Sequence, residues 1–243
     1  MGKKKIAILV QLVIVLLMGS GCLVENNAAA GKAKGLAKSE KEDWRAAKRI
    51  ELGLVAYINR IVSERKATVV IDAGHGGEQP GCVVGKTMEK DVNLSIALAL
   101  REELESRGIG VILTRSDDRN VQMEDRTDYA SLIFADYFIS IHCNAYVQDR
   151  SVQGFQCFYY QSEEGKTLSD EITDMVEEKG IRIRRAGEVD FRVLRESSIP
   201  AVLIEVGYLT NYEERTALIS EEYQRDMAIT IAEGIGRVLQ SGE

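Results

Sequence analysis

Hydrophobic and polar positions divide the chain into three regimes. The first is an uncharged run from Ile6 to Val24, set behind Lys3, Lys4 and Lys5. In the second, residues 31–66, a Lys-rich start gives way to a helical pattern with Trp44, Ile50, Leu54, Ile58 and Ile61 near one side, interrupted by Gly53. From Ala67 onward, short β-branched runs alternate with longer stretches of helical period. The pattern predicts strands over 67–72, 110–114, 137–142, 153–159 and 201–206, and helices over 89–107, 124–134, 166–179 and 221–239. Val92, Ile96, Leu100 and Leu104 mark the buried face of the first helix, which Gly108 stops. The alternation in 153–159 predicts a half-exposed edge strand. Repeated strand-helix alternation predicts an α/β domain of three layers, a mostly parallel central sheet flanked by helices on both faces. In such sheets the active site lies at the carboxyl ends of the strands.

Composition sharpens this picture. With 243 residues, 45% hydrophobic and 28% charged, the chain has room for one well-buried core plus short appendages, which excludes disorder and a disulfide-dense miniprotein. The net charge of -7 is split: residues 1 to 66 hold 13 Lys+Arg against 6 Asp+Glu, a net of +7, leaving 18 against 32, a net of -14, for the rest. An acidic body of this kind excludes nucleic acid as a partner, since phosphate binding needs clustered Lys and Arg.

The basic segment belongs to targeting. Three lysines, an apolar run and then Gly19, Ser20, Gly21 and Cys22 have the layout of an export signal. Three outcomes fit: lipidation at Cys22, an uncleaved membrane anchor, or cleavage near Ala28 to Ala30. All three place the body outside the cytoplasmic membrane, as an anchored or secreted protein of the cell wall or periplasmic space. The expected plan is an export signal or anchor at 1–22, a basic linker with a helix at 23–66, and one domain at 67–241. Cys22, Cys82, Cys143 and Cys157 include no C-x-x-C pair and form no disulfide framework.

The candidate chemistry starts from the two histidines, the only ones in the chain. His75 follows a strand in the glycine-rich Asp72-Ala73-Gly74-His75-Gly76-Gly77, and His142 ends the strand 137–142. One strand-end histidine is commonly a hydrogen-bonded structural residue; two at strand ends, with none elsewhere, point to a metal. Glu89, in the first turn of the long helix, is the candidate third ligand, although a first-turn carboxylate also suits the helix dipole. Two histidines and a carboxylate leave one tetrahedral position open, as catalytic zinc sites do. Zinc-assisted amide hydrolysis further needs a base. Glu205 closes the apolar run Ala201-Val202-Leu203-Ile204, where a carboxylate is costly unless paired; a nearby zinc or a buried ion pair with an arginine such as Arg115 would each account for it.

Five segments together carry a family likeness: Val69 to Gly77, Glu89-Lys90-Asp91, Leu113-Thr114-Arg115, Ser140 to Ala145 and Ile204 to Asn211. In order and spacing they resemble the zinc-dependent N-acetylmuramoyl-L-alanine amidases of bacterial cell walls, over about residues 67 to 241. The resemblance implies one Zn2+ per domain held by His75, Glu89 and His142, with Glu205 as the catalytic acid/base. It implies peptidoglycan as the partner and the amide between the lactyl group of N-acetylmuramic acid and the stem-peptide L-alanine as the bond cut. A zinc peptidase acting within the stem peptide and a non-catalytic wall-binding domain are the alternatives. Two positions depart from the family pattern: Cys143, where a small residue is more usual and which strand alternation turns away from the metal, and Tyr208, where phenylalanine is usual. A monomer is expected, and no activator protein is identifiable from sequence.

Overall fold

The computed structural model describes residues 67–133, 135–184 and 187–241; the expected signal or anchor at 1–22 and the basic helix within 23–66 lie outside the described residues. The chain order is β1 (Thr68–Ala73), β2 (Val83–Val84), β3 (Thr87–Met88), α1 (Glu89–Ser106), β4 (Gly110–Leu113), α2 (Met123–Leu132), β5 (Tyr137–Asn144), β6 (Gln156–Tyr159), α3 (Glu163–Glu178), β7 (Gly187–Glu188), α4 (Arg192–Arg195), β8 (Ala201–Tyr208), α5 (Tyr212–Leu218) and α6 (Glu221–Ser241). No helix among the described residues is long and apolar enough to cross a membrane.

Six strands form one sheet in the order β4-β1-β5-β8-β6-β7. β4, β1, β5 and β8 are mutually parallel, while β6 runs antiparallel to β8 and carries β7 parallel beside it. Alternation along the strands divides the side chains between two faces. Val69, Ile71, Ile139, Ile141, Val202, Ile204, Phe155 and Cys157 join one apolar cluster with α1, α3 and α6. Val70, Phe138, Leu203 and Phe158 are also buried but stand outside that cluster; α2 and α4 lie against β1, β5 and β8 there. Helices on both faces of a mostly parallel sheet make the three layers that the alternation predicts.

Two strand expectations need correction. The segment 153–159 is not a half-exposed edge: β6 lies inside the sheet with Gln156, Cys157 and Phe158 all buried. Its alternation separates two covered faces, Cys157 accepting from Ser169 of α3 through its carbonyl and Phe158 packing edge-on against Phe191. Nor do the strands of the site stop where expected: β5 continues past His142 to Asn144, and β8 continues past residue 206 to Tyr208.

That extension contains a bulge. β5 and β8 pair His142 with Glu205 but Asn144 with Tyr208, so β8 spends one residue more than its partner. The extra residue turns Tyr208 onto the same face as Glu205, a common use of bulges beside functional sites. Glu214 of α5 fastens the bulge, accepting from the Tyr208 N–H at 2.6 Å and the Gly154 N–H at 2.8 Å. Asn211 caps α5, accepting from the N–H groups of Glu213 and Glu214, and so holds that carboxylate in place.

Removing this clasp is predicted to be costly. Glu214→Ala should lower the unfolding free energy by about 2–3 kcal/mol, the range for hydrogen bonds to a charged group, read from a urea titration. An unchanged midpoint would show that the bulge stands without Glu214.

Candidate metal centre and its neighbouring acid

His75, Glu89, His142 and Glu205 come from four separate elements and meet on one side of the sheet. His75 stands two residues beyond β1 in the left-handed region, φ 61°, an uncommon conformation for a side chain other than glycine. Gly74 makes room for its partner: a Cβ there would lie 2.3 Å from the His142 ring. Glu89 is the first residue of α1, brought under the histidines by the β2–β3 hairpin through a backbone bond from Glu89 N–H to the Cys82 carbonyl. His142 and Glu205 are register partners on adjacent parallel strands, so their side chains rise on the same face.

The two imidazoles converge on one carboxylate oxygen. Glu89 Oε1 lies 3.1 Å from His75 Nε2 and 3.0 Å from His142 Nδ1, and the rings stand edge to face with centroids 4.9 Å apart. One ligand atom from each of the three residues lies within 4.8 Å of the others. Tetrahedral zinc with nitrogen and oxygen ligands places adjacent donors about 3.4 Å apart, so His75, Glu89 and His142 have the donor types and the spacing to hold such an ion. Backbone N–H groups aim the carboxylate: Cys82 donates to Oε2 at 2.8 Å and Cys143 to Oε1 at 3.2 Å. Asn93, one turn further along α1, donates to Oε1 at 3.4 Å and to the Gly74 carbonyl at 3.2 Å.

The two acids of the site are pushed apart in acidity. Burial opposes the charge on Glu89, but hydrogen bonds and charge from His142 and His75 outweigh it and hold the carboxyl well below the usual range. Glu205 has no such partners. Burial, and then the Glu89 carboxylate, push its pKa up to about 8, and its Oε2 is buried without a hydrogen-bond partner. Arg115 does not pair with it: that fully buried guanidinium donates to the carbonyls of Ala73, Gly74, Lys90 and Asp117. A divalent cation is what this arrangement of acids suits.

The structure also brings in residues that sequence reasoning passed over. Arg126 of α2 pairs with Asp72 at 2.6 Å, both almost wholly buried, and donates to the carbonyls of Ala73 and His75. Asp72 accepts in addition from Thr114 and Ser140. Together with Arg115, Arg126 thus holds every carbonyl of the turn that delivers His75. Asn93 could have been found, since it stands four residues from Glu89 on one helix face; Arg126 carries no local signal at all. Cys143 is a buried core thiol, raised well above its ordinary pKa by burial and by neighbouring carboxylates, chiefly Glu89, as the packing expectation requires.

Comparison with known proteins agrees with this geometry. Residues 69–237 match the family model described as N-acetylmuramoyl-L-alanine amidase, Amidase_3. The chain is 38% identical over 172 residues to the protein YqiI of Bacillus subtilis (strain 168), covering 69% of this chain and 82% of that one. Among solved structures, it is similar to the N-acetylmuramoyl-L-alanine amidase AmiC2 of Nostoc punctiforme, with a TM-score of 0.69 and 38% identity over 72% of this chain and 98% of that one. It is also similar to the CwlD amidase from Clostridioides difficile, solved in complex with the GerS lipoprotein, with a TM-score of 0.69 and 35% identity over 72% and 99% of the two chains.

Two measurements test the physics of the site. In metal-free protein the raised Glu205 pKa stabilises the fold fully below the unfolded value near 4.5, and that stability is lost as pH rises to about 8. Unfolding free energy should therefore fall by up to about 4 kcal/mol across that window, and Glu205→Gln should make the fall markedly smaller. Arg126→Met strands Asp72 as a buried unpaired charge and should cost about 3–5 kcal/mol in urea; a loss below 1 kcal/mol would contradict the clamp.

Proposed function

The chain belongs to the N-acetylmuramoyl-L-alanine amidase family, and from that membership we propose that His75, Glu89 and His142 hold one zinc ion while Glu205 moves the protons of amide hydrolysis. The reaction is that of the family: hydrolysis of the amide joining N-acetylmuramic acid to the L-alanine of the peptidoglycan stem peptide. The observation that carries the residue assignment is the pairing of a triad of donors with a carboxylate that has a buried, unpartnered oxygen and stands in register beside one of them.

When bound, zinc supplies a Lewis acid that polarises a carbonyl and lowers the pKa of water towards about 7. Glu205 is suited to what remains. A carboxylate at this position, in register with His142, can accept a proton from the attacking water and return it to the departing alanine nitrogen. Glu89, held ionised, stays a ligand and does not compete for that proton. Asn93 and the N–H groups of Cys82 and Cys143 keep its carboxylate aimed, as outer partners of metal ligands do. The Arg115–Arg126 clamp keeps His75 in its left-handed conformation.

Localisation follows from the substrate and the leader together. We place the domain 67–241 outside the cytoplasmic membrane, where peptidoglycan lies, with 1–22 as the exporting or anchoring segment and 23–66 as a basic spacer.

The deciding experiment is mass spectrometry of products from isolated peptidoglycan treated with the zinc-loaded protein. Intact stem peptides with a free L-alanine amino terminus are expected, absent with a chelator and reduced at least about 100-fold by Glu205→Gln, which should keep its zinc. Peptides cut within the stem would overturn the bond assignment, and near-normal turnover by Glu205→Gln would overturn the base. His142→Ala should lose zinc by elemental analysis.

A further inference from the structure

The site does not stop at Glu205. In register across the sheet, His142 of β5 faces Glu205 of β8, and Glu205 faces Gln156 of β6. Beyond β6 the chain at Arg182 to Arg184 runs parallel to Phe155: Phe155 N–H donates to the Arg182 carbonyl and Arg184 N–H to the Phe155 carbonyl, both at 2.8 Å. Phe155 and its partner Ile183 turn into the apolar core, so alternation sends Arg184 to the opposite face, the one that carries Gln156, Glu205 and His142. One row therefore reads His142, Glu205, Gln156, Arg184.

Arg184 is exposed, and among the described residues no carboxylate lies within ion-pair distance of it. Arg182, by contrast, lies close enough to Glu214 to act on its charge. The Arg184 guanidinium lies over the Tyr208 ring, 5.9 Å from its centroid, within reach of a cation–π contact. Tyr208 is in turn fixed, its hydroxyl donating to Gln156 Oε1 at 2.7 Å, which also accepts from Asn144 Nδ2 at 3.0 Å. The bulge at Glu205 to Tyr208 is what puts this ring under the arginine. The cation thus lies over a hydrogen-bonded ring and, among the described residues, has no acidic partner of its own.

The direction of the row sets what it would meet. The acid that protonates the leaving nitrogen must lie on the leaving side of the scissile bond, so the stem peptide departs past Glu205 and away from the donors on β1 and β5. That course leads over Gln156 to Arg184, two strand spacings or about 10 Å from Glu205, a span of about three extended residues from backbone to backbone that the long arginine side chain shortens. Stem peptides are acidic there, with a second residue whose carboxylate is free or amidated. We propose that Arg184, stacked on Tyr208, is a subsite for a free carboxylate of the stem peptide within the first residues after L-alanine, and that it makes the enzyme favour acidic over amidated stems. The inference rests on the amidase reading and extends it to substrate choice.

The test uses the full zinc-loaded chain in mild detergent with two soluble muramoyl peptides that differ only in whether the carboxylate of the second residue is free or amidated. Wild type should cleave the free form with kcat/KM roughly five- to tenfold higher, mainly through KM, as expected for one partly exposed ion pair. In Arg184→Gln that ratio should fall to about one, and Arg184→Lys, which keeps the charge without the planar fork, should restore part of it. Because Arg184 is exposed, thermal unfolding of these variants should match wild type. An equal ratio in wild type and Arg184→Gln, or no preference in wild type, overturns the subsite. Failure of wild type to release a free L-alanine amino terminus from either peptide overturns the amidase reading itself and the subsite with it, and is recognisable because the loss appears before any substitution.

Discussion

Everything at the site depends on holding a histidine in a backbone conformation that it does not favour. His75 sits at φ 61°, a strain of order 1–3 kcal/mol that only a determined environment sustains. That environment is two buried guanidinium groups. Arg115 and Arg126 between them bond the carbonyls of Ala73, Gly74 and His75, and Asp72 neutralises Arg126 from inside β1. Glycine at 74 is part of the same solution, since no side chain fits between that turn and the His142 ring. The strand end is consequently a rigid bracket that presents an imidazole to its neighbours.

A second constraint is electrostatic. Two carboxylates face one small polar space, and the fold gives them opposite environments. Glu89 receives two histidines, two backbone N–H groups and an asparagine, while Glu205 receives none and keeps a buried oxygen unpartnered. The opposite environments push the acidities of the two carboxyl groups apart, Glu89 downward and Glu205 upward. The same sheet face carries this polar chemistry from Asp72 to Arg184, while the other is filled with aliphatic side chains that bind α1, α3 and α6. Segregating the two faces lets the core be dry and tightly packed without burying the site.

Strand-helix alternation and the position of each major element were legible in the chain because burial imposes periods of 2 and 3.6 on any sequence that folds this way. The four residues at the heart of the site were legible because histidine is scarce here and a carboxylate in an apolar run is costly. What was misread follows a common cause. The strand over 153–159 alternates as an edge strand would, yet β8 and β7 pair with it on either side and Phe191 packs against Phe158, partners 29 or more residues away in the chain. The strands through His142 and Glu205 read as too short because the bulge between Glu205 and Tyr208, fastened by Glu214, leaves no periodic trace.

The sequence by itself thus determined the fold class, the layering and the residue types available for chemistry, since these depend on local period and on the energetic oddity of single side chains. Tertiary structure alone decided which donors share one oxygen, that Arg115 and Arg126 serve backbone carbonyls rather than Glu205, and that Tyr208 lies beneath Arg184. Those are distances between elements far apart in the chain. They are set by strand register, by one extra residue in β8 and by the close packing of α2 on the sheet, none of which a local pattern encodes.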